Sequence, residues 1–177
     1  ELLLTRGGRS PAGTEEQEAA RRSDGAHPTG EPRVLRLLKE AVPPRTNPEA
    51  TARRLVTFVR DYLVDDRAAE PLDLAAVIDG RRGDCTEHAA LFVTLARAAG
   101  IPAREVGGLA WVDGLAALGG HAWAEVALDG QWVAVDPIFG QFPADAARIR
   151  LAEAPGAQSA ARRALKAGGV LLLGETK

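Results

Sequence analysis

The chain has 177 residues, 46% of them hydrophobic and 26% charged, as in an ordinary globular domain with a real core. Its 22 basic and 24 acidic side chains leave a net charge of −2, which argues against a nucleic-acid binder. No stretch is long and apolar enough to span a bilayer. One cysteine excludes an internal disulfide, and the absence of methionine leads us to expect a piece of a longer protein.

Glu1 to Thr5 reads as the end of a strand. Residues 6–30 (RGGRSPAGTEEQEAARRSDGAHPTG) lack apolar periodicity, so residues 1–30 are expected to be a flexible linker or the remnant of an upstream region, with His27 solvated. Structure is expected from Glu31, and residues 31–153 form the domain. Pro32 opens a helix whose stripe is Val34, Leu35, Leu37 and Leu38. Asn47-Pro48 caps a second helix over 48–63. Leu72 to Ile78 spells one or two helical turns before a loop at Asp79-Gly80 and Gly83. The next helix runs from Cys85 to Ala99, apolar nearly all round and therefore central. Asp84 and Glu87 supply a capping box at its start, and Gly100 stops it.

Beyond Pro102 the period changes from helix to strand. Ala103 to Val112 reads as a strand with a bulge or close backbone approach at Gly107-Gly108. His121–Leu128 and Gln131–Ile138 flank Asp129-Gly130, a hairpin signal. Ile149 to Leu151 is a short strand, and residues 154–177 carry a helix near Ser159–Lys166 and a strand near Val170–Leu173. Helices followed by an antiparallel sheet make the fold class α+β, with a Cys-bearing helix packed on the sheet.

Cys85 is either small apolar packing or a nucleophile. Its place in the first turn of a helix favours a thiolate, whereas the negative Asp84 and Glu87 favour the neutral thiol. A reactive thiol there needs a cationic partner. Two histidines compete: His88, three residues on in the same helix, and His121 on the hairpin. A two-residue loop at Asp129-Gly130 pairs Leu128 with Gln131 and puts His121, Trp123, Glu125 and Asp136 on one face. His121 and Asp136 are then diagonal neighbours, roughly 5–8 Å apart at Cβ, close enough for a carboxylate to orient an imidazole. A three-residue loop would put them on opposite faces. The competing reading of Asp136 is a cap on the turn at Pro137, and that of Trp123 is a core aromatic. No CxxC, HExxH, Walker-type or dinucleotide glycine pattern occurs, so neither a metal nor a cofactor is expected.

Three stretches, GDCTEHAALFVTLARAAGIPAR (83–104), GGHAWAEVALDGQWVAVDP (119–137) and FPADAARIRLAE (142–153), together resemble the transglutaminase-like domain, a papain-like cysteine fold. The resemblance covers about residues 48–152 and is nearest to bacterial members, where such domains often sit in larger exported proteins. It implies that Cys85 is the nucleophile, His121 the base and then acid, and Asp136 the group that orients His121. Trp123, Asp84 and Glu87 would support them. It implies amide or peptide hydrolysis or acyl transfer through a thioester. The alternatives are protein cross-linking and a catalytically silent binding module. The expected partner is a protein or peptide substrate, with no nucleic acid and no membrane contact. The family's oxyanion donor lies upstream of the cysteine, where Tyr62 is the candidate hydroxyl.

Overall fold

The computed structural model describes residues 9–66, 73–112, 117–145 and 147–153. Among the described residues four helices precede the cysteine-bearing one, and three of them start at a capping side chain visible in the sequence. Helix α2 (Pro32–Ala41) begins at Glu31, whose carboxylate accepts from the N–H groups of Arg33 and Val34; the first helix, α1 (Thr14–Ala19), precedes it. Helix α3 (Pro48–Tyr62) begins at Asn47, whose side chain accepts from Ala50 N–H. Proline at the first helical position of α2 and α3 presets φ and gives up a donor that would have no helical partner. Helix α4 (Leu74–Gly80) is capped by Asp73 and ends at Arg81 in the left-handed region.

Helix α5 (Cys85–Ala98) starts on the reciprocal capping box of Asp84 and Glu87. It ends where Ala99 is followed by Gly100, at φ +81°, a conformation glycine adopts without a steric penalty. Leu91, Phe92, Val93, Leu95 and Ala96 are all fully buried, because α5 is packed by helices on one side and by the sheet on the other.

Five strands make one antiparallel sheet in the order β1-β6-β5-β4-β7. They are β1 (Arg9–Pro11), β4 (Ala103–Val112), β5 (Ala117–Leu128), β6 (Gln131–Val135) and β7 (Arg148–Glu153). Short strands β2 (Val64–Asp65) and β3 (Arg82–Gly83) form a separate parallel pair that leads into Cys85. The β5–β6 turn has positive φ at both Asp129 (50°) and Gly130 (74°), the two-residue geometry that matches strand twist. It fixes Leu128 opposite Gln131, as the sequence leads one to expect. Alternation then sorts the sheet: Ala103, Ala124, Val126, Val133 and Val135 join the core under α5, while Val106, Trp123 and Ala134 pack on the other face.

The composition of residues 6–30 misleads about their state. From Arg9 onward the described segment is packed: Arg9 pairs with Val133 in β1–β6, Ala12 N–H donates to Gly130 O, and Ala103 N–H donates to Ala20 O. His27, expected in solvent, is 0% exposed, with Nδ1 3.0 Å from Thr94 Oγ1 and Nε2 3.3 Å from Glu105 Oε1. A polar sequence can fold onto a domain when its backbone finds a sheet edge. The strand expected at Glu1–Thr5 and the elements expected over 154–177 lie outside the described residues.

Candidate active site

His121 sits on β5 opposite Gly108 of β4. Its ring lies between two aromatic rings, Trp123 at 6.2 Å and Phe139 at 5.0 Å between centroids, both nearly parallel to it. Trp123 is buried and forms the wall behind the ring, so the core-aromatic reading and a supporting role hold together. Phe139 is 49% exposed and covers the ring from the solvent side.

The chain leaves β6 at Val135 and turns through 136–141, where Asp136 and Gln141 exchange backbone hydrogen bonds at 2.9 Å. This turn puts Asp136 beside His121: Nε2 lies 2.7 Å from Oδ2. The other oxygen, Oδ1, accepts from Phe139 N–H at 3.1 Å, so the turn-capping reading of Asp136 is also true. Asp136 is 0% exposed. Burial pushes its carboxyl up, but His121 and Arg148 outweigh burial and hold it below the ordinary carboxylate range. An ionised carboxylate can only accept, so Nε2 carries the proton and Nδ1 of the neutral ring keeps the lone pair.

Arg148 was not singled out in the sequence. Its Nη2 donates to the same Asp136 Oδ2 at 2.6 Å and to Gln141 Oε1 at 2.6 Å, and its Nη1 pairs with Asp145. Its position at the start of β7, twelve residues past Asp136, is meaningful only once β7 pairs with β4. No local motif announces it.

Cys85 opens α5, partly exposed. The capping box around it is closed: Asp84 Oδ1 accepts from Thr86 N–H at 2.7 Å and Glu87 Oε2 accepts from Asp84 N–H at 2.8 Å. Burial, and then the neighbouring Asp84 side chain, raise the Glu87 carboxyl above its ordinary value. Glycine is required at 83, since a Cβ there would lie 2.3 Å from Glu87 Cβ.

His88, the rival of His121, is buried and turned back on the helix start, with Nδ1 2.8 Å from Asp84 O. A carbonyl only accepts, so that nitrogen is committed as a donor. Tyr62 donates its hydroxyl to Ile78 O at 2.8 Å, and its ring stacks on Phe58. That hydroxyl is spent within the helical layer, which removes the candidate oxyanion donor.

The relative heights of α5 and the sheet follow from two contacts. Arg97 Nε donates to Ala103 O at 2.9 Å, and His27 bridges Thr94 to Glu105, so β4 runs antiparallel to α5. Going back from Thr94, Cys85 lies about 13 Å along the helix. Going forward from Glu105, Gly108 lies about 10 Å along the strand. His121, paired with Gly108, is thus within about one helical turn of the level of Cys85.

Among the described residues no group of three or more His, Cys, Asp or Glu is arranged to hold a metal ion, and no helix is long and apolar enough to cross a membrane.

The fold is similar to solved structures. A candidate cysteine protease from Cytophaga hutchinsonii superposes with a TM-score of 0.70 at 17% identity, over 82% of this chain and 50% of that one. The periplasmic domain of TgpA from Pseudomonas aeruginosa gives 0.57 at 23% identity, over 72% and 48%. LapG from Legionella pneumophila, in an EGTA-treated form, gives 0.52 at 12% identity, over 83% and 84%. The chain spans about half the length of the first two. No curated protein sequence matches the chain. The family model described as the transglutaminase-like superfamily matches residues 36–137, a span that holds the thiol-bearing helix, the hairpin and the His121–Asp136 pair. The chain therefore belongs to the transglutaminase-like superfamily.

Proposed function

We propose that this domain is a thiol-dependent acyl-transfer enzyme in which Cys85 attacks, His121 moves protons and Asp136 orients His121. The observation that supports the reading is the buried His121 Nε2–Asp136 Oδ2 bond, which leaves Nδ1 to serve as the base. The imidazole shares the outer face of the sheet with Trp123, so this reading requires thiol and ring to meet at the end of the sheet and not across its middle. Nδ1 takes the thiol proton, and Sγ adds to the carbonyl carbon of an amide. The C–N bond then breaks, and the proton passes from Nδ1 to the departing amine, leaving a thioester. Water adding to the thioester returns a carboxylic acid and the free thiol. A lysine amine adding instead gives a cross-link. Hydrolysis is the reading we favour, since water needs no binding site of its own. The substrate is a protein or peptide, and the domain belongs outside the cytoplasm, as does the periplasmic domain whose fold it shares.

The test is alkylation with iodoacetamide at neutral pH. Cys85 should react much faster than free cysteine, and Cys85→Ala should take up no label. His121→Ala should lower the rate at least tenfold and Asp136→Asn by a smaller factor, whereas His88→Ala in a folded variant should not. A sluggish thiol, or a rate that depends on His88 and not His121, would overturn the assignment.

A further inference from the structure

We propose that Arg148 is a positioning residue for this site, clamping Asp136 and setting the pH range over which His121 and Cys85 share a proton. This rests on the triad reading above. One carboxylate oxygen, Asp136 Oδ2, receives both His121 Nε2 at 2.7 Å and Arg148 Nη2 at 2.6 Å. The guanidinium is buried, with 6% of its side chain exposed, and it also holds Gln141 and Asp145. Its Cζ lies 5.9 Å from the centroid of the Phe139 ring that stacks on His121. One side chain thus ties together the carboxylate, the turn that carries it and the far end of that turn. Its buried Nε has no hydrogen-bond partner among the described residues, so the fork is aimed at these acceptors at the expense of full satisfaction.

The electrostatic consequence has a sign. A carboxylate alone would stabilise the imidazolium strongly. A second cation on the same oxygen offsets part of that charge. The same positive charge favours the thiolate. The other charged groups around the site are Asp145 in the turn, Glu125, Arg104 and Arg150 on the same sheet face, and Asp84, Glu87 and His88 on α5. Glu125 is already matched by Arg104 and Arg150, and Asp84 and Glu87 stay in their cap. Arg148 is the cation that touches Asp136.

The experiment is the pH dependence of Cys85 alkylation by iodoacetamide in the whole chain, comparing wild type with Arg148→Gln and Arg148→Lys. The profile should have two inflections, one for forming the thiolate–imidazolium pair and one for losing the imidazolium proton. Removing the charge in Arg148→Gln should move both upward by about one pH unit. Arg148→Lys, which keeps the charge but not the fork, should lower the rate and leave the inflections in place. Inflections unmoved in a folded Arg148→Gln, or moved as far in Arg148→Lys, would overturn the proposal. Should Arg148→Gln fail to fold, the lysine variant decides: inflections that shift there refute the charge role. His121→Ala serves as the control. If it abolishes fast alkylation while the arginine variants leave the profile alone, the triad stands and this inference falls.

Discussion

Glu87 carries two duties at the start of α5: it closes the cap on Asp84 N–H and it adds charge beside the thiol. The structure separates them. Burial and then Asp84 raise its carboxyl, so the folded state holds the proton more tightly than the unfolded chain does. That contribution is present at low pH and lost as pH rises through the raised folded value. At neutral pH the ionised form is therefore a liability and the hydrogen bond an asset. Glu87→Gln keeps an acceptor for Asp84 N–H and removes the charge, so its melting temperature at pH 7 should equal or exceed that of wild type. Glu87→Ala loses the acceptor and should cost about 1–2 kcal/mol in urea unfolding. A glutamine variant as unstable as the alanine one would show that the charge itself is needed. The residue scale also shows that rival readings were not exclusive. Asp136 caps a turn with one oxygen and receives His121 with the other.

At the scale of elements, the site depends on how closely β4, β5 and β7 pack. Gly107-Gly108 signals a bulge in the sequence, and the β4–β7 register does shift between those two residues. The second glycine has a further reason. A Cβ at Gly108 would lie 2.0 Å from Ile149 O and 2.8 Å from the Trp123 ring. Backbone cannot give way as a flexible side chain can, so Gly108→Ala should force β7 off β4 and tilt Trp123 away from His121. The expected loss is about 3 kcal/mol in denaturant unfolding, with slower alkylation of Cys85 even where the variant is folded. Unchanged stability and thiol reactivity would show that β7 can shift freely. Since Arg148 opens β7, the same substitution should weaken its hold on Asp136.

At the scale of the whole molecule, the segment around His27 joins the N-terminal residues to α5 and β4. Burial, ahead of the Arg97 charge, pushes the His27 imidazole down to about 4, against a pull upward from Asp24. The folded state thus favours the neutral ring. Its stabilising effect is complete above the unfolded value near 6.5 and is lost as pH falls toward 4, by about 3 kcal/mol. His27→Gln removes the titration, so its stability should fall less than that of wild type between pH 7 and 4; parallel curves in thermal melts would refute this. What the sequence by itself determined was everything set by near neighbours along the chain. The helix starts at Asn47 and Asp84, the stop at Gly100, the two-residue turn and hence the shared face of His121 and Asp136 all depend on local dihedrals and period. The Cys85, His121 and Asp136 motifs were legible for the same reason. Only the tertiary structure decided which polar groups meet across distant elements. The segment around His27 has no apolar periodicity and reads as solvated, yet His27 is buried beside Thr94 and Glu105. The Tyr62 hydroxyl, a candidate oxyanion donor in the sequence, is held by Ile78 O, and Arg148 reaches Asp136 only because β7 returns to pair with β4. Strand order and long-range hydrogen bonds are properties of the packed chain, and periodicity carries no trace of them.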